Sequence, residues 1–212
     1  MIRISWVVKF SMHTIINVGR SFGSGGGFVG QAIGRKLDIP VFDNELISKA
    51  AEESGYSKSL FAKGEEKSLF SVSSFFASGR LSYLDSGYVN DNVLFNIQSE
   101  VIRTIADKGD AVIIGRCADY ILRDRPCLNV FVDGPEEYRI QRLMENEHLT
   151  AAEAEKLMRR KDRTRETYYN YYTFGAWGVA SNYHLCVDSS ILGIEGTADF
   201  IIDFGRRAGL IK

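Results

Sequence analysis

The 212-residue chain is poor in cysteine and histidine and has no long hydrophobic run, and each shortage excludes a class of protein. An odd number of cysteines without C-x-x-C spacing argues against a disulfide framework or a zinc site, and predicts reduced thiols in a cytoplasmic protein. Three histidines without metal-ligand spacing predict no metal centre of their own. The apolar stretch at residues 4–8 is too short and too closely bounded by charge for a signal peptide or a membrane span.

An excess of charge of either sign is also missing, because 26 basic residues face 27 acidic ones for a net charge of −1. The charge balance therefore gives no reason to expect a nucleic acid or an anionic membrane as partner. Any anionic ligand would have to bind at a local cluster of basic residues. With 45% hydrophobic residues the chain can form one domain with a sizeable core. We assign that domain to residues 12–212 and regard residues 1–11 as an N-terminal extension, since Met12 closely precedes the first strand-like run.

Strand-like runs alternate with helical patterns, which predicts an α/β fold whose parallel sheet is covered by helices on both faces. Five strands are expected, at residues 14–18, 39–42, 111–115, 128–133 and 183–188. Helices are expected at residues 27–37, 45–53, 92–108, 136–147 and 195–207. A capping box from Thr150 to Glu153 predicts the start of a further, highly charged helix.

Residues 57–91 break this alternation. Within them, residues 68–79 mix five serines with three phenylalanines and show no clean period. Two interpretations stay open: a flexible insertion over the carboxyl edge of the sheet, where open α/β folds bind ligands, or an irregular segment packed against the domain.

The most informative stretch is a glycine-dense turn, Gly23-Ser-Gly-Gly-Gly-Phe-Val-Gly30, which follows the first predicted strand. Glycines let a backbone approach an anion closely, and the first amides of a following helix point at the anion with the positive end of the helix dipole. The turn therefore predicts a phosphate-binding loop. A tight strand–helix junction without a ligand is the alternative, although five glycines in eight positions make it costly in backbone entropy.

Two phosphate-binding designs fit this turn. From Gly25 onward it spells G-x-G-x-x-G, and Asp43 follows 18 residues later, as in a dinucleotide-dependent oxidoreductase whose carboxylate binds the ribose. The rival is a P-loop, G-x-x-x-x-G-K-[ST], whose lysine reaches the β- and γ-phosphates and whose hydroxyl holds magnesium. In that alignment Gly26 stands where the lysine belongs, and Gly27 and Phe28 follow where the hydroxyl belongs. The backbone cradle is present and its two polar groups are missing.

Basic residues elsewhere favour phosphoryl transfer. Arg116 follows the third predicted strand and its glycine, which places a guanidinium at the carboxyl edge of the sheet. Residues 159–165 hold five basic residues in seven positions, and Asp162 and Arg165 share one helix face. Phosphoryl transfer uses such charge because its transition state spreads negative charge over several oxygens. A solvated helix face is the alternative for this segment, and a local ion pair the alternative for Asp162 with Arg165.

With these features the sequence resembles the cytidylate kinase-like branch of the P-loop nucleoside monophosphate kinases. The resemblance extends over residues 14–200 and rests on Gly23-Ser-Gly-Gly26, Phe42-Asp-Asn44, Val112-Ile-Ile-Gly-Arg116, Asp162-Arg-Thr-Arg165 and Trp177-Gly178…Asn182-Tyr183…Asp188. It implies a three-layer P-loop kinase fold with a five-stranded parallel sheet, a flexible insertion at 57–91 and a helical lid at 150–175.

The resemblance implies that five consecutive residues hold the phosphates of ATP: Gly23, Ser24, Gly25, Gly26 and Gly27. Arg159 and Arg160 would belong to the lid that closes over the transferred phosphoryl group, and Arg116 would bind the phosphate of the acceptor.

The resemblance also implies an acceptor site. Asp43 and Asn44 would lie beside the acceptor nucleotide with Lys49, and Asp162 and Arg165 would contact it. Asp43 is in addition the candidate ligand for magnesium.

The sequence departs from the family pattern where charge is expected. Gly26 replaces the P-loop lysine, Phe28 replaces the threonine that helps to hold magnesium, and Cys117 replaces the aspartate that usually follows Gly-Arg. Loss of one electrostatic stabiliser commonly reduces a rate by about 10²–10³-fold. Arg20, just upstream of the loop, is our candidate for supplying the missing lysine charge.

We therefore expect an ATP- and Mg²⁺-dependent phosphotransferase that transfers the γ-phosphoryl group of ATP to CMP or a similar small acceptor. The expected catalytic residues are Arg20, Arg116, Arg159 and Arg160. A non-catalytic nucleotide- or polyanion-binding protein on a kinase scaffold and a dinucleotide-dependent oxidoreductase remain as alternatives. The expected partner is a small-molecule nucleotide rather than a nucleic acid or a membrane, and the oligomeric state stays open.

Overall fold

A computed structural model describes residues 13–53 and 88–212. The predicted N-terminal extension lies outside these residues, and so does the predicted insertion at 57–91 except for residues 88–91, which open a helix. Within the described ranges, every helix is too short or too polar to span a bilayer.

Five parallel strands of the described residues form one sheet: β1 Ile15–Arg20, β2 Val41–Phe42, β3 Ala111–Ile114, β4 Leu128–Asp133 and β5 Leu185–Asp188. Their order is β2-β3-β1-β4-β5. The central strand β1 pairs Val18 with Ile114 of β3 and Arg20 with Val132 of β4. The predicted five-stranded parallel sheet is confirmed, and the carboxyl end of β1 lies in the middle of its carboxyl edge.

The helices described are α1 Gly26–Leu37, α2 Asn44–Glu53, α3 Tyr88–Lys108, α4 Ala118–Ile121, α5 Glu136–Glu147, α6 Ala151–Thr173 and α7 Ser189–Arg207. A 3₁₀ turn spans Ala180–Asn182. The sequence missed α4, which is a single turn, and it began the last helix at residue 195. The structure begins the helical residues at Ser189, but non-helical Gly193 (φ 63°, ψ −175°) divides them, and the predicted start at residue 195 falls just after this break.

Helices cover both faces of the sheet, because successive side chains of a strand point in opposite directions. On one face Ile16 and Val18 pack with Ile33 of α1 and Ile201 of α7. On the other face Ile15 and its neighbours in β3 pack with α2, α3 and α6, through Ile47, Ile102 and Tyr169. The predicted three-layer arrangement is confirmed.

The predicted capping box opens α6, the longest helix described. The Glu153 amide donates to Thr150 Oγ1 at 3.4 Å, and the Thr150 amide donates to Glu153 Oε2 at 2.9 Å. With 23 residues, α6 is about 34 Å long at 1.5 Å per residue. It can therefore contribute side chains to both edges of the sheet.

The strand order excludes the oxidoreductase alternative. In the dinucleotide-binding fold β2 lies beside β1, so that the carboxylate after β2 reaches the ribose bound at the turn after β1. Here β2 pairs with β3, and β3 separates it from β1. The G-x-G-x-x-G spelling is therefore not a dinucleotide fingerprint, since the same letters occur in a different topology.

Candidate functional site

Two left-handed glycines shape the turn between β1 and α1. Gly23 has φ 85° and Gly25 has φ 80°. A Cβ atom on Gly23 would lie 2.9 Å from the carbonyl oxygen of Arg139, and one on Gly25 would lie 2.5 Å from Ile194 Cδ1. Both positions therefore require glycine for backbone conformation and for space.

Ser24 holds the turn from inside. Its side chain is fully buried, and its hydroxyl lies 2.9 Å from the Ser21 carbonyl oxygen and accepts the Gly26 amide at 3.2 Å. Ser189, at the start of α7, donates its hydroxyl to the Ser24 carbonyl oxygen at 2.5 Å. These bonds consume the Ser24 hydroxyl, so only its backbone is left for a ligand.

The first turn of α1 presents free amides. The Val29 amide makes the first bond of the helical ladder, to the Gly25 carbonyl oxygen at 3.0 Å. The amides of Gly27 and Phe28 precede that bond and point out of the helix start, as in other helix N-termini that bind phosphate. A Cβ atom on Gly27 would meet nothing within 4 Å, so this side of the turn is open.

The Arg20 side chain passes beside Gly26 and ends beside Gly115. A Cβ atom on Gly26 would lie 2.5 Å from Arg20 Cβ and 3.0 Å from Val132 Cβ. A Cβ atom on Gly115, after β3, would overlap Arg20 Nη1 and lie 3.0 Å from its Cζ. The Arg20 side chain therefore runs from the start of α1 to the turn after β3. It has room there because Gly26 and Gly115 carry no Cβ atom.

Three arginines converge beside the loop. Arg165 of α6 donates from Nη1 to the Arg20 carbonyl oxygen at 3.0 Å, and its Cζ lies 5.1 Å from the centroid of the Phe22 ring. Burial, and after it the charges of Arg165 and Arg116, lower the pKa of Arg20 to about 9, against a smaller opposing effect of Asp43. Arg20 stays protonated at neutral pH. The carboxylates of Asp43 and Asp162 act against this repulsion, at Arg20 and Arg165 respectively, and a bound anion would stabilise the like charges further.

Arg116 stands on a strained turn. Gly115, Arg116 and Cys117 have φ 78°, 58° and 55°, and each non-glycine residue in this region costs about 1–2 kcal/mol. The Nε atom of Arg116 is buried without a hydrogen-bond partner among the described residues. Burial raises the pKa of the Cys117 thiol to about 12, so this residue is a packed thiol and not a nucleophile. Backbone strain and an unpaired guanidinium nitrogen are both features that occur at ligand-binding positions.

Asp43 caps α2 beside this cluster. Its Oδ1 accepts the amides of Glu45 and Leu46, each at 3.0 Å, which leaves Oδ2 for a second partner. Asn44 and Lys49 follow on α2 with exposed side chains. Within residues 13–53 and 88–212, no group of three or more His, Cys, Asp or Glu side chains could hold a metal ion. Mg²⁺ in phosphoryl-transfer sites typically uses one or two carboxylates with substrate phosphates, and Asp43 fits that pattern.

Asp162 braces the start of the loop. Its Oδ1 accepts the Phe22 amide at 2.7 Å, and its Oδ2 accepts Arg139 Nη1 at 2.6 Å. The pair is largely buried, with exposed side-chain fractions of 12% for Arg139 and 17% for Asp162. The ion pair that Asp162 forms is therefore with α5 and not with Arg165 on its own helix.

Arg159 and Arg160, which were predicted to belong to a lid, lie one to two turns before Arg165 on α6. Arg159 forms ion pairs with Glu155 and with Glu136 of α5, and its side chain is 60% exposed. Arg160 is exposed on the same helix.

Two arginines of α5 were missed in the sequence. Arg139 pairs with Asp162, and Arg142 donates from Nε to the Gly23 carbonyl oxygen at 3.2 Å. Arg142 also lies over the Phe28 ring, 5.9 Å from its centroid. Their spacing of three residues places both on one helix face, which is the signal that could have identified them.

A glycine loop after the central strand of a β2-β3-β1-β4-β5 parallel sheet defines a P-loop kinase fold. A crystal structure of an uncharacterized protein from Eubacterium ventriosum is similar, with TM-score 0.66 and 26% identity over 90% of this chain and 96% of that one. The shikimate kinase of Acinetobacter baumannii, in complex with shikimate, matches with TM-score 0.52 and 14% identity over 94% and 96% of the two chains. At that identity the likeness shows the fold alone.

The chain belongs to the cytidylate kinase-like family, whose sequence profile matches residues 15–191. It is 28% identical over 107 residues to a cytidylate kinase of Aeropyrum pernix. The matched part is 50% of this chain and 62% of the length of that relative. Family and fold together support a nucleotide kinase.

Proposed function

We propose that this protein transfers the γ-phosphoryl group of ATP to CMP or a similar small nucleotide acceptor. The observation that carries the proposal is the position of Arg20. The family resemblance expects a lysine at position 26, and the Arg20 side chain passes Gly26 with its Cβ and carries its guanidinium on to Gly115. Arg20, from the end of β1, would supply the missing cation.

On the donor side, the backbone of residues 23–27 would hold the ATP phosphates, helped by the open amides at the start of α1. Arg20 would neutralise charge on the β- and γ-phosphates from beneath the loop. Arg159 and Arg160 would approach the transferred group from α6, and Arg159 would exchange its carboxylate partners for phosphate oxygens.

On the acceptor side, Arg116 would bind the acceptor phosphate, because its charge acts on the neighbouring Arg20 and its guanidinium has an unpaired nitrogen. Arg165 would contribute a second guanidinium from α6, and Asp43, Asn44 and Lys49 would lie along the nucleotide. Asp162 would act through Phe22 and Arg139, which use both of its oxygens.

Asp43 would hold Mg²⁺ together with phosphate oxygens, and the ion would supply charge neutralisation between the β- and γ-phosphates. In the reaction an oxygen of the acceptor phosphate forms a bond to the γ-phosphorus while the bond to the β–γ bridging oxygen breaks, so ADP leaves. The contribution of the protein is alignment of the two phosphates and stabilisation of charge by fixed arginines.

The test is a coupled ADP-release assay with ATP, Mg²⁺ and each of the common nucleoside monophosphates, preceded by calorimetric titration of ATP and CMP. We expect saturable binding of both and release of ADP that depends on one monophosphate. Release of ADP at the same rate without any monophosphate would contradict the proposed transfer.

A non-catalytic nucleotide-binding protein is the second candidate, because Gly26, Gly27 and Phe28 offer neither the lysine nor the hydroxyl of a P-loop. The same experiments separate the two. Tight ATP binding without ADP release for every monophosphate would favour the non-catalytic protein.

A further inference from the structure

A second cleft, with a volume of about 320 Å³, lies at the opposite edge of the sheet from the glycine loop. Cys127 and Asn129, at the amino end of β4, and His184, just before β5, form one side of it. In β4 Leu128 precedes Val132, the partner of Arg20, by four residues, which is about 13 Å along a strand. The cleft is therefore separate from the phosphate loop.

Basic side chains dominate the charge of this cleft. Arg123 is exposed, lies over the Tyr120 ring with its Cζ 4.3 Å from the centroid, and donates from Nη1 to the Tyr120 carbonyl oxygen at 2.9 Å. This stacking fixes the plane of the guanidinium and leaves its other N–H groups available. Arg125 lines the cleft as well, although Asp107 binds its Nη1 at 2.6 Å.

His184 adds a donor of fixed orientation. Its Nδ1 accepts the Asn129 amide at 3.0 Å, which places the proton of the neutral ring on Nε2. The ring is exposed, so its Nε2–H group is available to donate to a ligand.

One carboxyl group faces the cleft, and it is occupied. Asp119 Oδ2 accepts the Tyr169 hydroxyl at 2.7 Å. Burial is the main cause that raises the pKa of Asp119, and its hydrogen bond with Tyr169 acts against that rise. The lining therefore has more positive than negative charge, in a protein whose net charge is −1.

Buried polar groups continue from the cleft into the sheet. Asn17 is 3% exposed in the middle of β1, between Ile16 and Val18, and its Nδ2 donates to Asn129 Oδ1 at 2.8 Å. Its own Oδ1 is buried without a hydrogen-bond partner among the described residues. A buried unpaired amide oxygen is costly, and the phosphate loop does not use this residue. Asn17 instead holds the side chain of Asn129, which lines the cleft.

We propose that this cleft is a second ligand site, which binds a small molecule through an oxyanion, either a carboxylate or a phosphate group. Arg123 and the Nε2 of His184 are its donors, and Arg125 adds positive charge. The volume lies at the lower end of the range for small-molecule sites and fits a compact metabolite. This inference does not depend on the proposed kinase reaction.

The test is a titration of the ¹⁵N-labelled full chain with inorganic phosphate and, separately, with malonate, followed by amide chemical shifts. We expect saturable shifts at Asn129 and Thr173 with at least one of the two anions. Phosphate also has access to the glycine loop, but that binding is recorded separately at Gly25 and Gly27. The second site and the proposed kinase site are therefore measured independently in one experiment.

The variant Arg123→Glu is expected to weaken the titration at Asn129 by about tenfold or more, because one charge-assisted contact is replaced by repulsion. Arg207→Glu is the matched control, since Arg207 is exposed, pairs with Asp203 and makes the same change in net charge. Equal affinities at Asn129 in the two variants would overturn the proposal, and so would shifts confined to the glycine loop. A stronger response to malonate than to phosphate would identify the ligand group as a carboxylate.

Discussion

The guanidinium of Arg116 lies over the ring of Tyr168, with its Cζ 5.0 Å from the ring centroid. The two residues come from different elements, since Arg116 follows β3 and Tyr168 belongs to α6, three residues after Arg165. One helix thus positions two of the three arginines beside the loop, directly for Arg165 and through an aromatic face for Arg116. The rotation of α6 about its axis therefore decides how these two guanidinium groups are arranged.

Replacing Tyr168 tests this relationship. Tyr168→Leu removes the ring that orients Arg116, so we expect the KM for the acceptor, or the Kd for CMP, to rise about tenfold with little change in ATP affinity. Tyr168→Phe keeps the ring and should retain most of the affinity. Calorimetric titration of CMP into both variants is the measurement, and equal losses in the two would show that the hydroxyl rather than the ring matters.

Replacing Arg20 tests the substitute for the P-loop lysine. Arg20→Ala removes the cation beneath the loop, and we expect turnover to fall by about 10²–10³-fold with weaker ATP binding. Arg20→Lys keeps the positive charge and should therefore retain part of the turnover and of the ATP affinity. Arg207→Ala is the control for loss of an exposed arginine. Unchanged ATP affinity and turnover in Arg20→Ala would remove Arg20 from the site.

Two adjacent glycines, Gly26 and Gly27, provide a matched pair of variants that tests whether the Arg20 side chain packs against the start of α1. Gly26→Ala places a Cβ atom 2.5 Å from Arg20 Cβ and 3.0 Å from Val132 Cβ, so we expect a loss of about 1–3 kcal/mol in the free energy of unfolding. Gly27→Ala meets nothing within 4 Å and lies in the first turn of α1, so stability should be equal or higher by up to about 1 kcal/mol. Urea denaturation of both variants is the measurement, and equal stabilities would contradict the packing described for Arg20.

The buried pair of Asp162 and Arg139 should matter more than the exposed pairs of Arg159. Asp162→Ala leaves Arg139 buried without its partner and frees the Phe22 amide, so we expect a loss of about 3 kcal/mol in the free energy of unfolding. Arg159 lies on the same helix as Asp162, but its ion pairs are exposed. Arg159→Ala should therefore leave the free energy of unfolding unchanged. Thermal and urea denaturation provide the comparison. A similar small effect in both variants would show that Asp162 does not brace the loop.

Asp119 should make stability depend on pH in a defined direction. Burial raises its pKa in the folded protein above the unfolded value of about 3.9, so the folded state binds its proton more tightly. This contribution to stability is fully present below the unfolded pKa and is lost as the pH rises through the folded pKa. Asp119→Asn stays neutral and can still accept the Tyr169 hydroxyl. The free energy of unfolding of Asp119→Asn, relative to that of the wild-type protein, should therefore increase between pH 4 and pH 7. A difference between the two proteins that stays constant with pH in urea denaturation would contradict the raised pKa of Asp119.

Most of the fold could be predicted because its signals are local. The five strands were identified from short apolar runs, with errors of up to two residues at each end, and the Thr150–Glu153 capping box was read from spacing alone. The short helix α4 and the few helical residues before the break at Gly193 were missed, because each is about one turn long and too short to show a period.

The site could be predicted only in its outline. The glycine loop and Arg116 are marked by their position after strands, whereas Arg139 and Arg142 lie in a helix whose arginines resemble ordinary surface residues. The ion-pair partner of Asp162 could not be predicted either. Helix spacing suggests Arg165 as the partner, whereas the packing of α5 against α6 brings Arg139 to Asp162 instead.

By itself the amino-acid sequence determined the parallel sheet, the glycine turn after β1 and the arginine after β3, because strand periodicity and glycine content act within a few residues. Only the tertiary structure decided that Arg20 fills the space beside Gly26 and Gly115, that Asp162 serves the loop, and that a second basic cleft forms at the far edge. Apart from the contact of Arg20 with Gly26, these contacts join residues far apart in the sequence, such as Arg20 with Gly115 and Phe22 with Asp162, so they depend on strand order and on the rotation of packed helices.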